Sequence, residues 1–128
     1  MKTVAQRCFL SAKIHGATIT CAKLEYRGSL SIDSSLMKAV GLIPYEKIDV
    51  YNLDNGERLT TYAIPGEPGE ICLNGAAAHK GQVGQRVIIA SYAWFSEEEA
   101  LSYKPKVVIA GKDNTVDEFL ECDITLDF

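Results

Sequence analysis

The amino-acid sequence predicts a mainly β protein, folded as a small closed barrel with two or three short helices. Short apolar runs rich in β-branched residues alternate along the chain with turn signals made of Gly, Asn and Asp. The segments with helical character are too few and too short for a doubly wound α/β fold. With 128 residues, the chain suits one core, and we expect residues 1–128 to form a single domain.

Eight apolar runs have the length and composition of β-strands. They are residues 17–20, 24–32, 47–53, 58–64, 71–73, 86–94, 106–110 and 123–126. Asn55-Gly56 separates two of these runs, and Asn-Gly is the strongest short-range hairpin signal because both turn positions need a positive φ. The register that follows from a two-residue turn pairs Asp54 with Glu57, Leu53 with Arg58 and Tyr51 with Thr60.

Two short helices are predicted from their capping residues. Ser34 or Ser35 is suited to cap a helix over residues 36–40, which Gly41 ends. The run Ser96-Glu97-Glu98-Glu99 fits a capping box that opens a second helix.

Charge and composition exclude several classes of function. The formal net charge is −4 and the pI is about 5.1, so the chain has no electrostatic reason to bind nucleic acid or an anionic membrane. No apolar run is long enough for a signal peptide or a membrane span, which predicts a cytoplasmic protein. The four cysteines show no CxxC spacing and lie far from both histidines, so we expect reduced thiols and no metal site.

Gly28-Ser29 interrupts the predicted strand 24–32 and leaves two interpretations open. Glycine inside a strand usually marks a bulge or a tight bend. Alternatively, the Ser29 hydroxyl attacks the carbonyl of Gly28 and forms an ester, whose elimination leaves dehydroalanine and, after hydrolysis, a pyruvoyl group. Gly28 favours this chemistry because it has no Cβ and tolerates the distorted backbone that the attack requires.

Four sequence blocks resemble those of bacterial aspartate 1-decarboxylases. They are residues 13–20, KIHGATIT, beside K-[IL]-H-R-A-T-[VI]-T; residues 26–33, YRGSLSID, beside Y-x-G-S-x-x-I-D; residues 55–64, NGERLTTYAI, beside N-G-x-R-x-x-T-Y-x-I; and residues 74–79, NGAAAH, beside N-G-A-A-A-H. The blocks occur in the right order and at nearly the right spacing, over most of residues 8–110. One block alone is weak evidence, whereas the set of four is highly specific.

The resemblance implies a double-psi β-barrel and a homotetramer with active sites between subunits. It also implies self-cleavage into chains 1–28 and 29–128, with a pyruvoyl group derived from Ser29 as the cofactor and neither pyridoxal phosphate nor a metal. Such a group supplies the electron sink that pyridoxal phosphate supplies elsewhere. The implied reaction converts L-aspartate to β-alanine and CO2 for coenzyme A biosynthesis. The need for a maturation helper stays open.

The resemblance assigns roles to residues of the four blocks and to Tyr51. The processing residues are Tyr26, Gly28, Ser29 and Thr61, of which Thr61 polarises the Gly28 carbonyl. The catalytic residues are Ser29, as the source of the pyruvoyl group, and Tyr62, as the proton donor to the substrate carbanion. The substrate-binding residues are Lys13, His15, Tyr51, Arg58, Asn74, Gly75, Ala76 and Ala77.

Strand alternation places several of these side chains relative to one another. Arg58, Thr60 and Tyr62 point to one face of their strand, and Thr61 points to the other face. Tyr51 joins the first face from across the hairpin. The face shared by Arg58 and Tyr62 is therefore the expected substrate side.

Polar groups suited to an acidic substrate occur in three of the blocks. Arg58 is the best candidate to hold a carboxylate, because its guanidinium is a planar bidentate donor. Lys13 and His15 are two residues apart on a strand and share a face. Asn74 and the backbone N–H groups of residues 75–77 are candidate donors to the substrate or to a developing enolate oxygen.

Two residues depart from the family pattern. Gly16 stands where the family usually has arginine, which removes one positive charge near the site, and Tyr51 stands where tryptophan or an aliphatic residue is common. Two alternative functions stay open beside aspartate decarboxylation. One is a pyruvoyl-dependent decarboxylase of another small or acidic amino acid, and the other is an uncleaved barrel that serves as a binding module.

Overall fold

Nine strands hydrogen-bonded in one series make up the fold of residues 4–127, the part of the chain that the computed structural model describes. In chain order they are β1 (Gln6–Thr18), β2 (Cys21–Lys23), β3 (Ser29–Asp33), β4 (Lys47–Asn52), β5 (Arg58–Gly66), β6 (Ile71–Asn74), β7 (Arg86–Ser96), β8 (Lys106–Ala110) and β9 (Val116–Glu121). Their order across the sheet is β2-β6-β3-β5-β4-β7-β1-β8-β9. The pairs β1–β8, β2–β6 and β3–β5 are parallel, and the other pairs are antiparallel.

One apolar core lies on the inner face of this sheet. Inward and outward side chains alternate along the strands, and the inward ones are almost fully buried. Five isoleucines from five strands are each at most 1% exposed and belong to the same cluster, namely Ile14, Ile32, Ile48, Ile71 and Ile89. Burying each of these side chains stabilises the fold by about 1.5–3 kcal/mol. A single sheet around one core confirms the predicted mainly β fold and small barrel.

The helices are short and lie between strands. They are α1 (Ser34–Val40), α2 (Glu97–Ser102) and two 3-10 helices, Gly75–Lys80 and Lys112–Asn114. The predicted capping box of α2 is confirmed. The Ser96 hydroxyl accepts a hydrogen bond from the backbone N–H of Glu99 at 3.1 Å, and the Glu99 carboxylate accepts one from the backbone N–H of Ser96 at 2.9 Å.

The predicted cap of α1 is wrong by one or two residues. Asp33, and neither Ser34 nor Ser35, is the N-cap residue, because its carboxylate accepts a hydrogen bond from the Ser35 backbone N–H at 2.7 Å. The helix ends as predicted at Gly41, which has a φ of +78°.

The hairpin between β4 and β5 has a different register from the predicted one. Tyr51 pairs with Arg58 and not with Thr60, and the other two predicted pairs do not form either. The cause is Asn52, whose Oδ1 atom accepts hydrogen bonds from the backbone N–H groups of residues 54–55 at 2.9 and 3.2 Å. This Asx-type turn replaces the tight two-residue turn. The pairing register differs from the prediction by two residues, so each side chain stays on its predicted face of the strand.

Three predicted strands have wrong bounds. β1 begins at Gln6 and not at residue 17, and its two bulges interrupt the alternation that reveals a long strand. The strand predicted over 24–32 begins only at Ser29, so Gly28 precedes the strand. β9 lies before the predicted 123–126, as an edge strand whose residues are all exposed, so no buried face marks it in the sequence. The other five predicted strands are confirmed with small changes at their ends.

Candidate active site

Ser29 is the first residue of β3 and lies opposite Asn74 of β6 on the outer face of the sheet. The two residues are only 3% and 2% exposed. The Nδ2 group of Asn74 donates to Ser29 Oγ at 3.0 Å and to Ser31 Oγ at 2.9 Å. As a donor, the Ser29 hydroxyl makes a long contact of 3.5 Å to the carbonyl of Arg27. We call Ser29, Ser31 and Asn74 the serine corner, in which an amide fixes the position of a buried hydroxyl.

Gly28 precedes this serine and is exposed, and its backbone lies against Gly75. Gly75 begins the 3-10 helix Gly75–Lys80 and has a φ of +63°. A Cβ atom on Gly75 would lie 2.7 Å from both the Gly28 nitrogen and the Tyr26 carbonyl oxygen. Glycine at position 75 therefore allows the close approach that sets the position of the Gly28–Ser29 peptide bond.

Two clefts border this peptide bond. The first, of about 550 Å³, is lined by the serine corner and by Tyr26, Tyr45 and Tyr62. The second, of about 420 Å³, is lined by Gly28, Thr61, Tyr62, Ala76 and Ala77. The structure thus brings the four predicted processing residues and the predicted proton donor Tyr62 to the same place.

Tyr62 and Thr61 lie on opposite faces of β5, as strand alternation predicts. The parallel register of β3 and β5 sets Tyr62 beside Ser29 on the outer face. Thr61 pairs with the core residue Ile48 on the other face. Thr61 nevertheless lines the same cleft as Gly28. At this point along β5 the neighbouring strand β3 has not begun, so the edge of β5 is open toward Gly28.

Arg58, Tyr51 and His15 lie in one row across the outer face, on β5, β4 and β1. Lys13 lies in the neighbouring row of β1 on the same face. The Arg58 guanidinium stacks on the Tyr51 ring, 4.6 Å from its centre. We call these four residues the cationic face, and their shared orientation confirms the predictions from alternation.

The surroundings of the cationic face set the protonation of two of its members. The Tyr51 hydroxyl lies 3.0 Å from that of Tyr92, and this hydrogen bond and burial raise the pKa of Tyr51 to about 12. Burial, followed by the positive charges of Lys13 and Arg86, lowers the pKa of His15, which favours a neutral imidazole at pH 7. Neither of the two ion pairs found among residues 4–127 involves the cationic face. The face therefore suits an acidic ligand.

The serine corner and the cationic face are separated along β5. Tyr62 lies beside Ser29, and Arg58 is four residues earlier on the strand. At about 3.3 Å per residue, these positions are roughly 13 Å apart. The predicted carboxylate clamp and the predicted reacting residue therefore lie at separate positions along the sheet of one chain.

Sequence reasoning missed two neighbours of the reacting groups. Ser31 shares the amide of Asn74 with Ser29, and its spacing of two residues on one strand was an available signal. Tyr45 lies 5.9 Å from Tyr62 between ring centres, in a connection where its φ is +72°. No sequence signal marks that position, because β-strand patterning ends before it.

A third residue that sequence reasoning missed is Arg86, whose guanidinium lies beside Gly16. Gly16 has a φ of +80°, and the Arg86 guanidinium occupies the space that a side chain at position 16 needs. The Arg86 Nε group donates to the Gly16 carbonyl at 3.3 Å. The Arg86 guanidinium therefore lies beside Gly16, and its positive charge contributes to the lowered pKa of His15.

The serine corner fits a prosthetic group made from the chain itself. Ser29 is buried, hydrogen-bonded and preceded by an exposed glycine, and the cleft beside it is large enough for a small amino acid. Within residues 4–127, no three or more His, Cys, Asp and Glu side chains are grouped to hold a metal ion. No helix in this part of the chain has the length and hydropathy needed to cross a membrane.

The fold and the site define a small β-barrel protein. Its site combines a buried serine at the start of a strand, hydrogen-bonded to an asparagine amide, with the cationic face. A model of the aspartate decarboxylase family matches residues 5–117, and the chain belongs to this family. A relative from Desulfotalea psychrophila, named aspartate 1-decarboxylase, is 52% identical over 114 residues, which are 88% of this chain and 96% of the relative. A relative of the same name from Listeria monocytogenes is 49% identical over 89% of this chain and 91% of the relative. Another, from Ralstonia nicotianae, is 50% identical over 88% of this chain and 96% of the relative.

Proposed function

We propose that this protein converts L-aspartate to β-alanine and CO2, using a pyruvoyl group that the chain makes from Ser29. The observation that carries the proposal is the buried Ser29 hydroxyl, held by Asn74 directly after the exposed Gly28. Membership of the aspartate decarboxylase family, and the name shared by the relatives, support the choice of substrate. The reaction belongs to coenzyme A biosynthesis in the cytoplasm and needs neither pyridoxal phosphate nor a metal.

Self-cleavage begins when Ser29 Oγ attacks the carbonyl carbon of Gly28. The C–O bond forms as the C–N bond breaks, and the hydroxyl proton ends on the nitrogen of Ser29, which becomes an amine. Loss of the Cα proton then expels the Gly28 carboxylate and leaves dehydroalanine, whose nitrogen is released as ammonia when water adds. The products are chains 1–28 and 29–128.

Four neighbours have distinct roles in this step. Asn74 holds the Ser29 hydroxyl in position for the attack through its Nδ2 donor. Thr61 lines the cleft that reaches Gly28, where its hydroxyl polarises the Gly28 carbonyl. Gly75, together with the backbone of Tyr26, holds the reacting peptide bond in place.

Substrate binding uses the cationic face and the 3-10 helix. Arg58 holds the carboxylate that is retained, because its two N–H donors match the two carboxylate oxygens. Lys13 adds a second cation, while His15 and Tyr51 shape the pocket around it. Asn74 and the backbone N–H groups of residues 75–77 donate to the substrate.

The decarboxylation itself needs an electron sink and a proton donor. The pyruvoyl ketone supplies the electron sink for the bond to the departing carboxylate. Tyr62 returns a proton to the former α-carbon, and its position beside Ser29 on the outer face supports this role.

A homotetramer with shared active sites completes the proposal. The separation of roughly 13 Å along β5 between Arg58 and the position beside Ser29 supports a site where the cationic face of one copy meets the serine corner of another. Exposed aromatic residues beside the cationic face supply apolar area for such a contact, since Tyr92 is 43% and Trp94 is 65% exposed.

The test is β-alanine formation from aspartate by the purified, cleaved protein, beside glutamate and cysteine. We expect a preference for aspartate over glutamate of about 10- to 200-fold, because one extra methylene misplaces the amine. Phenylhydrazine should abolish activity, and added pyridoxal phosphate should not change it. Equal turnover of glutamate contradicts the substrate, and activity that tracks added pyridoxal phosphate contradicts the cofactor.

A further inference from the structure

The serine corner has a polar neighbour that no step above uses, the thiol of Cys72. Cys72 lies two residues before Asn74 on β6, on the same outer face, and is only 1% exposed. Its Sγ atom donates to Asn74 Oδ1 at 3.5 Å. All three polar positions of the Asn74 amide are therefore occupied, two by the serine hydroxyls and one by this thiol.

The thiol selects one of the two orientations of the Asn74 amide. The hydroxyls of Ser29 and Ser31 each serve as donor or acceptor, so they accept either the nitrogen or the oxygen of the amide. Sulfur is a weak acceptor for an amide N–H, whereas the amide oxygen can accept the thiol proton, even though S–H is itself a weak donor. Cys72 thus favours the orientation in which Nδ2, and not Oδ1, faces Ser29.

This role requires that the thiol keep its proton. Cys21 is the cross-strand partner of Cys72 on β2. Burial, the largest cause, raises the pKa of Cys72 to about 12. The thiol is therefore neutral at physiological pH, where it is a hydrogen-bond donor and a weak nucleophile toward the groups formed at Ser29.

We propose that Cys72 is a positioning residue for self-cleavage, whose thiol holds the Asn74 amide with Nδ2 toward Ser29 Oγ. The reversed amide would place Oδ1 at Ser29, where the hydroxyl would donate its proton to Oδ1 instead of leaving that proton free to pass to the Ser29 nitrogen during the attack. This inference rests on the proposed cleavage between Gly28 and Ser29. Among residues 4–127, Asn74 is the only residue whose side chain donates to Ser29 Oγ, and Cys72 orients that side chain.

The experiment compares cleavage rates of freshly purified, uncleaved chains during warming, followed by intact mass. Cys72→Val removes the donor at similar volume, and Cys72→Ser keeps a donor. Cys122→Val is the matched control, because Cys122 is exposed and far from the corner. We expect Cys72→Val to cleave about 3- to 10-fold more slowly than wild type, the effect of one neutral hydrogen bond, and Cys72→Ser to stay within about twofold. The control should match wild type.

Melting temperatures of all variants separate positioning from a merely structural role. If Cys72→Val does not fold, Cys72→Ala takes its place in the comparison with Cys72→Ser. Wild-type cleavage in the donor-free variant, or equal slowing of the Ser and Val variants, overturns the inference but leaves the proposed function standing. Absence of cleavage in the wild-type chain overturns the proposed function itself, and this inference with it.

Discussion

The serine corner and the cationic face lie on the same side of one sheet but are built in opposite ways. In the serine corner, Ser29 and Asn74 are buried and neutral, and their polar groups are satisfied within the chain. In the cationic face, Arg58 is exposed, and neither ion pair among residues 4–127 includes it. A reaction of the chain with itself needs fixed geometry, whereas recognition of an external acid needs charge that the ligand can reach. The two regions should therefore respond differently to substitution.

Ser29→Ala has the largest expected effect, because it removes the attacking oxygen. Both self-cleavage and β-alanine formation should be lost, while the fold persists since Asn74 still donates to Ser31. Intact mass and an activity assay measure the two losses. Ser102→Ala, at an exposed serine at the end of α2, is the control and should leave both unchanged. A cleaved Ser29→Ala chain would contradict the assignment of the nucleophile.

Arg58→Lys should separate the two regions most clearly. A point charge does not reproduce the bidentate guanidinium, so kcat/KM for aspartate should fall by about 10- to 100-fold. Self-cleavage should proceed at the wild-type rate, because Arg58 is distant from Ser29 in its own chain. Steady-state kinetics and intact mass measure these outcomes, with Arg7→Lys as an exposed control. Near-normal kinetics would show that the clamp lies elsewhere.

Gly75→Ala should slow self-cleavage by displacing the reacting peptide bond. The added Cβ meets the backbone of Gly28 and Tyr26, and the φ of +63° is itself unfavourable for alanine, at a cost of about 1–3 kcal/mol of stability. Gly56→Ala is a matched control, since Gly56 has a φ of +75° but no atoms within 4 Å of an added Cβ. Both variants should melt earlier than wild type, and only Gly75→Ala should cleave slowly. Equal cleavage rates would remove Gly75 from the processing geometry.

The smallest expected effect concerns the charge balance of the cationic face. The pKa of His15 is lowered by burial, Lys13 and Arg86, so Arg86→Gln should raise it toward its ordinary value. Folded His15 binds its proton less readily than unfolded His15, so His15 lowers the free energy of unfolding as pH falls below about 6.5. Arg86→Gln should make this loss of stability at low pH smaller. NMR titration of His15 and melting at several pH values test this, with Arg7→Gln as control. An unchanged His15 pKa would contradict the electrostatic link to Arg86.

Local patterns predicted the fold where one face of a strand is buried. The positions of Tyr62 and Thr61 on opposite faces, and the capping box at Ser96, follow from alternation and from helix-end chemistry. Alternation did not predict β1, whose bulges change the phase twice, or β9, which buries neither face. The hairpin register also differed from the prediction, because the buried Asn52 side chain builds a longer loop than the Asn-Gly pair indicates.

The site was predictable as a set of residues but not as an arrangement. The four sequence blocks identified Ser29, Asn74 and Arg58 as functional candidates. Their relative positions depend on pairings between distant segments, such as Ser29 with Asn74, which are 45 residues apart in sequence. The filling of the space beside Gly16 by Arg86 depends on a contact across 70 residues. Such contacts follow from how the whole sheet closes, which local residue patterns do not specify.

Intact-mass analysis of the purified protein tests the central claim most directly. The account predicts two chains, residues 1–28 and residues 29–128, with the longer chain lighter by one ammonia than a chain that begins with an unmodified Ser29. A single chain of 128 residues after prolonged warming would contradict the account, as would a longer chain that still carries its serine nitrogen.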